Sequence, residues 1–213
     1  MKAVVFDVGE TLVDETRMWE DWADALGVPR LTFMAVLGGV IARGEDHRRV
    51  FELVRPDTTF EELLAQRRER ENGSEPFGPD DLYPDALPCL RELRARGYRL
   101  GLAGNQPEEA EEALRRCGFE ADFVGSSASW QAWKPSPAFF ARVVSEAGVP
   151  AGEVAYVGDR VDFDVVPAAT AGLVPVFLRR GPWGYLHADR PEASVARLRI
   201  ESLAELPEAL DRV

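Results

Sequence analysis

The chain has 213 residues, 46% of them hydrophobic and 29% charged, enough to bury a full core, so a disordered or fibrous chain is excluded. Its 37 acidic residues outnumber 25 basic ones, and the net charge of -12 repels phosphate polymers and anionic lipid, which argues against nucleic acid and membrane surfaces as partners. The longest apolar run, Phe33 to Ala42, is too short to span a bilayer, and the N-terminus shows no basic segment or cleavage site, so a cytoplasmic protein is expected.

Lys2 to Val8 is a run of β-branched and aromatic residues interrupted by Asp7, the pattern of a buried parallel strand with a polar group at its carboxyl end. Trp19, Trp22, Ala23 and Leu26 then fall at helical spacing, and Leu31 to Ile41 is apolar almost all round, which predicts a second, buried helix. Val50, Phe51 and Val54 share a helical face, and Thr59 with Glu62 forms a capping box ahead of Leu63 and Leu64. Asn72 to Pro84 is linker chemistry, rich in Gly, Pro, Ser and Asp. Beyond it helices are expected at Asp85–Arg96, Glu108–Cys117, Pro137–Ala147 and Phe163–Ala171. Strands are expected at Tyr98–Ala103, Asp122–Val124, Val154–Val157 and Val174–Leu178, with a closing helix at Leu203–Leu210. Alternating βα units predict an α/β fold, a Rossmann-like doubly wound parallel sheet formed by residues 1–14 and 81–213, interrupted by an inserted all-helical domain over 15–80.

In open sheets of this kind ligands bind beyond the carboxyl ends of the strands. Those ends carry Asp7, then Gly104 and Asn105, then Lys134 ahead of a helix, and Gly158 and Asp159 with Asp164. Singly, each has a plainer reading: a strand-end Asp caps a helix or forms a turn, Lys134-Pro135-Ser136-Pro137 opens a helix, and Asp164 is a solvated acid. Together they are harder to dismiss, because three carboxylates and one of only two lysines, the other being Lys2, map to one edge of one sheet. Cys89 and Cys117 lack CxxC spacing or a flanking His and read as buried thiols, and His47 and His187 fit no motif and read as surface residues.

The order of these residues resembles the haloacid dehalogenase-like (HAD) hydrolase superfamily. Its first motif is matched by Phe6-Asp7-Val8-Gly9-Glu10-Thr11-Leu12-Val13-Asp14, its Lys-Pro-x-Pro by Lys134-Pro135-Ser136-Pro137, and its acidic motif by Gly158-Asp159 through Asp164. Tyr83-Pro84-Asp85 through Leu100 is similar to the family's entry into its second motif, and the insert resembles its type C1 helical cap. A carboxylate attacks an anionic phosphate ester only if a cation masks the repulsion, which oxygen-ligated Mg²⁺ does, and Asp7, Asp159 and Asp164 are suited to hold it. The resemblance adds the backbone carbonyl of Gly9 as a ligand and Asp7 as the nucleophile that forms an aspartyl-phosphate. It also implies that Lys134 holds the nucleophile and balances the phosphoryl charge, while Gly104, Asn105 and Lys134 bind the substrate.

Two positions depart from the pattern. The family's second Asp, a general acid/base worth about 10²–10⁴-fold in rate, is Gly9 here, with Glu10 next to it as the alternative catalytic carboxylate. The usual Thr or Ser of the second motif is Gly104, which leaves backbone N–H groups of Gly104 and Asn105 as donors. The expected function is therefore a Mg²⁺-dependent phosphatase of a small phosphorylated metabolite. The alternatives are a metal-independent haloacid dehalogenase, against which the acidic last motif argues, and a non-catalytic binding protein. A phosphonatase would need a lysine in the insert, which has none. For substrate selection the insert offers Arg17, Arg43, Arg48, Trp19 and Trp22, although the plainer reading of the tryptophans is as its core; Trp130, Trp133 and the Arg179–Gly184 segment can line the cleft or pack on the surface.

Overall fold

The computed structural model describes residues 1–71 and 76–213, so residues 72–75 of the predicted linker lie outside the described residues. The chain divides into two compact units, Met1–Asp14 with Phe77–Val213, and Glu15–Pro76. The chain re-enters the first unit at Phe77, ahead of residue 81 where composition places it, because Phe77 is buried in that unit's core.

β1 (Ala3–Phe6) opens the first unit. The second unit consists of α1 (Thr16–Leu26), α2 (Arg30–Ala42), α3 (Arg49–Val54) and α4 (Phe60–Glu71). Its core is aromatic: Trp22 meets Phe51 edge-on at 4.8 Å, Phe51 lies 4.9 Å from Phe60, and Trp19 packs against Phe33. Both tryptophans are thus core residues. Arg17 pairs with Asp21, Arg43 with Glu45, and Arg48 lies over the Phe60 ring. The capping box forms as read, Thr59 N donating to Glu62 and Glu62 N to Thr59 Oγ1. α2 is not buried all round: Phe33, Leu37, Val40 and Ile41 are buried, but Leu31 is 84% exposed. Period-blind apolarity cannot tell which stripe of such a helix meets a neighbour.

The first unit continues with α5 (Ala86–Ala95), β2 (Arg99–Gly104), α6 (Glu109–Arg116), β3 (Phe123–Ser126), α7 (Ser127–Trp130) and α8 (Pro137–Ala147). It ends with β4 (Val154–Gly158), α9 (Val166–Thr170), β5 (Val174–Leu178), α10 (Gly181–His187), β6 (Leu198–Ile200) and α11 (Leu206–Leu210). The six strands are all parallel in the order β3-β2-β1-β4-β5-β6. Val4 and Phe6 of β1 enter one apolar cluster and Ala3 and Val5 the other, so both faces of the strand are covered. That is why its sequence is continuously apolar rather than alternating.

Three features differ from expectation. The helix expected from Phe163 is a π-turn at Val161–Val165 running into α9. The closing helix begins as a 3₁₀ turn at Leu203–Glu205, and α11 follows with Pro207 in its first turn, where a missing N–H costs nothing. α7, β6 and α10 are additional; the short spans of α7 and β6 and the Gly and Pro content of α10 hide their signals. Among the described residues no single helix is long and apolar enough to cross a membrane.

Candidate active site

The strand order reverses between β1 and β4, and a crevice at such a switch point is where open α/β sheets take ligands. Asp7 immediately follows β1, and its N–H donates to the Val157 carbonyl at 2.9 Å, which holds it at the carboxyl edge beside β4. The chain then turns tightly. The Val8 carbonyl accepts from Thr11, Leu12 and Val13, Glu10 N donates to Val13 O at 2.7 Å, and Glu10 itself adopts φ +53. Lys134 reaches the same point from the loop after α7. Asn105, just beyond β2, fixes that loop through both polar ends of its amide: Nδ2 donates to the Lys134 carbonyl at 3.0 Å, and Lys134 N donates to Oδ1 at 2.8 Å.

Lys134 Nζ lies 2.6 Å from Asp7 Oδ1 and 2.7 Å from Asp164 Oδ1, with all three side chains buried. Asp159 is 1% exposed and its Oδ2 has no hydrogen-bond donor among the described residues. One oxygen from each of Asp7, Asp159 and Asp164 lies within 4.8 Å of the others. Burial, then the neighbouring Asp164 and Asp7 charges, push the Asp159 carboxyl well above the ordinary carboxylate range. Burial also raises Asp164, to about 6, against the pull of Lys134. Burial pulls the Lys134 ammonium down, but Asp164 and Asp7 together hold it above its usual value. Three carboxylates and one ammonium carry a net charge of about −2 when ionised, which a single divalent cation neutralises. An unpartnered buried oxygen and a purely oxygen donor set fit Mg²⁺.

Glycines make room for these carboxylates. A Cβ on Gly158 would lie 2.4 Å from Asp164 Cγ, and one on Gly104 would lie 2.5 Å from Asp7 Oδ1. The place of the missing second-motif hydroxyl is thus occupied by the Asp7 carboxylate itself. Gly158 carries a role that the GD pattern conceals, since its lack of a side chain is what seats Asp164.

The structure brings Asp7, Lys134, Asp159 and Asp164 together, with Gly104 and Asn105 alongside them. Gly9 lies in the turn after Asp7 and bridges Val13. Glu10 is buried, and its Oε2 accepts from the Tyr83 hydroxyl at 2.6 Å. Burial and the Glu10 carboxylate hold that hydroxyl above the usual tyrosine range. Gly181, at φ +62, approaches so closely that a Cβ there would meet Glu10 Oε2 at 2.4 Å. Arg180 donates to the Thr11 carbonyl and to Asp85, and its guanidinium covers Tyr83 at 4.1 Å from the ring centroid. Trp130 packs on Phe139, whereas Trp133 is exposed. His187, read as a surface residue, is buried: its ring is turned inward from α10.

Residues 1–172 match the family model described as haloacid dehalogenase-like hydrolase. The chain is 29% identical over 202 residues to the glyceraldehyde 3-phosphate phosphatase of Methanopyrus kandleri, covering 86% of each chain. It is 31% identical over 215 residues to the phosphoglycolate phosphatase of Rhodospirillum rubrum, covering 93% of this chain and 86% of that protein. The crystal structure of a HAD phosphatase from Thermococcus onnurineus matches with a TM-score of 0.62 at 29% identity, over 99% of this chain and 98% of that one.

Proposed function

Since the chain belongs to the haloacid dehalogenase-like hydrolase family, we propose that it is a Mg²⁺-dependent phosphatase of a small phosphorylated metabolite, with Asp7 as nucleophile. The observation that carries this reading is the buried acidic triad with one ammonium and an unpartnered Asp159 oxygen, an arrangement that lacks a purpose without a divalent cation. Displacing a halide from carbon calls for no such charge. The phosphatases among the relatives support the reaction class. We take the protein to be cytoplasmic, as a small-metabolite enzyme would be.

Asp7, Asp159, Asp164 and the Gly9 carbonyl would hold the metal, which when bound masks the repulsion between Asp7 and the phosphate dianion. The Asp7 carboxylate attacks phosphorus and the bond to the leaving oxygen breaks, giving an aspartyl-phosphate that water hydrolyses to phosphate and free Asp7. Lys134, locked in place by Asn105, keeps the Asp7 oxygen oriented and faces the charge that develops on the transferring group. Backbone N–H groups at Gly104 and Asn105 serve the phosphoryl oxygens. With glycine at position 9, the leaving oxygen departs as an anion or takes its proton from Glu10, water or the substrate.

The test is a panel of phosphorylated metabolites and acyl phosphates with and without Mg²⁺, followed by acid quench during turnover and peptide mass spectrometry. A phosphoryl group on the peptide containing Asp7, and loss of turnover in Asp7→Asn, are expected. Halide release from haloacids without added metal, or a tenth of the wild-type activity in Asp7→Asn, would sink the reading.

A further inference from the structure

α10 touches the site's surroundings at both ends. Gly181 opens it against the Glu10 carboxylate, and His187 closes it against the acidic turn. His187 is 1% exposed, and its Nδ1 accepts a 3.2 Å hydrogen bond from the backbone N–H of Val161, the first residue of the π-turn that carries Asp164. Two other amides of this turn, and that of Arg160 just before it, bond locally. Asp164 N and Val165 N donate to the Arg160 carbonyl at 2.9 and 3.1 Å, and Arg160 N donates to Asp164 Oδ2 at 3.0 Å. The Arg160 guanidinium, too, is engaged locally, on Asp162 at 3.1 and 2.9 Å. The Val161 amide, two residues after Asp159 and three before Asp164, is instead held by a side chain from a different element.

We infer that His187 is a positioning residue for the metal-binding carboxylates: its Nδ1 lone pair anchors the Val161 amide and thereby the path of the chain from Asp159 to Asp164. π-turns are rare and occur frequently at functional sites, and this one carries Asp164. Residues that orient metal ligands from behind typically change metal affinity about 10–100-fold when lost. The role requires an unprotonated Nδ1. Burial holds the imidazole down to about 4, against the opposing pull of Asp162 at 3.7 Å and with Arg190 and Arg160 adding to it, so the lone pair is available at neutral pH.

This inference rests on the Mg²⁺ reading, and the experiment separates the two. Thermal melting across a Mg²⁺ series gives a binding midpoint for the wild-type protein and for His187→Asn, His187→Gln and His187→Leu. Asn places an oxygen at the Nδ1 position, Gln places it one bond further out, and Leu removes the acceptor. We expect the wild-type midpoint in His187→Asn and midpoints about 10-fold or more higher in the Gln and Leu variants. A parallel ¹⁵N spectrum of the wild-type imidazole, which needs no variant to fold, should show Nδ1 as the unprotonated nitrogen. A protonated Nδ1, unchanged midpoints in the Gln and Leu variants, or an Asn variant no better than Leu would each overturn the inference alone. A wild-type protein whose melting ignores Mg²⁺ would overturn the metal reading and this inference with it.

Discussion

Asp159→Asn should make the metal-free protein more stable while destroying its response to Mg²⁺. Asp7 and Asp164 share the Lys134 ammonium, but Asp159 faces them with a buried oxygen that has no donor among the described residues. Two unit charges 4.8 Å apart, the largest separation within the triad, repel by about 3.5 kcal/mol at an effective dielectric of 20. Burial, and after it the repulsion from Asp164 and Asp7, raises the Asp159 carboxyl well above the ordinary carboxylate range, which favours its neutral form when no metal is bound. If the neutral amide relieves half of one such repulsion, about 2 kcal/mol, a chain of this size melts about 4–8 °C higher. Mg²⁺ at 100 times its dissociation constant stabilises a native state that binds it by about 2.7 kcal/mol, so the wild-type protein should gain about 5–11 °C. The assay is differential scanning fluorimetry on protein stripped with EDTA, then titrated with Mg²⁺. The charge argument is refuted if Asp159→Asn melts below the wild-type protein without metal, or if it keeps the wild-type Mg²⁺ shift.

Gly9→Asp restores a carboxylate two residues after Asp7; it should raise alkyl-phosphate turnover by up to about 10²-fold while leaving aryl and acyl phosphates nearly unchanged, as a leaving-group series of kcat/KM would show. Glu10→Gln in the same series should selectively slow alkyl substrates if Glu10 supplies the proton; equal wild-type rates for alkyl and aryl esters with chemistry rate-limiting, and no change in either variant, would remove the proton-transfer argument. Lys134→Arg should lose at least about 10²-fold in kcat, because a planar guanidinium cannot place one compact charge 2.6 and 2.7 Å from two carboxylates at once; near-normal kcat would refute the geometry. For pH, His187 is depressed to about 4 in the folded protein, so its neutral form contributes stability that is complete above its unfolded value of about 6.5 and lost as pH falls from there toward 4. The difference in chemical-denaturation stability between the wild-type protein and His187→Asn should show that slope, amounting to at most about 3 kcal/mol, over the opposite slope that the raised Asp159 and Asp164 give to both proteins.

The four charged residues of the site were legible in the sequence because parallel strands deliver their carboxyl ends to one edge, so a residue type read at each strand end is also a position in space. Asp7 and Asp159 needed only that rule, whereas Lys134, in the loop beyond α7, and Asp164, inside the π-turn, needed the Lys-Pro-x-Pro and acidic motifs as well. His187 could not be found the same way: its partner is a backbone amide 26 residues earlier, and backbone groups leave no mark on sequence. The same holds for Asn105, whose side chain is engaged by the Lys134 backbone rather than set free for substrate. α2 misled for a different reason. Leu31 belongs to an apolar run, yet a single helix in a small unit has too few neighbours to cover every side.

The two departures from the family pattern have different physical standing. At position 104 a hydroxyl-bearing side chain is missing, but the structure fills its volume: a Cβ there would lie 2.5 Å from Asp7 Oδ1, the oxygen that Lys134 grips at 2.6 Å. Glycine and the inward-turned nucleophile are thus one arrangement, and Gly104→Ser would have to push Asp7 off Lys134 before its hydroxyl helped any phosphate. Position 9 has no such compensation from the carboxylate beside it. Glu10 lies in a left-handed turn, bonded to Tyr83 and roofed by Gly181, and that second glycine shows how closely the chain is fitted to a glutamate there. A side chain merely filling space would tolerate Asp or Gln; one held by a tyrosine hydroxyl and a left-handed glycine is held by its carboxylate. Removing the hydroxyl with Tyr83→Phe therefore separates the two kinds of role. If Glu10 is only a strut, stability falls and the ratio of alkyl to aryl rates stays fixed. If it moves the proton that Gly9 cannot, the ratio shifts with the loss of its partner.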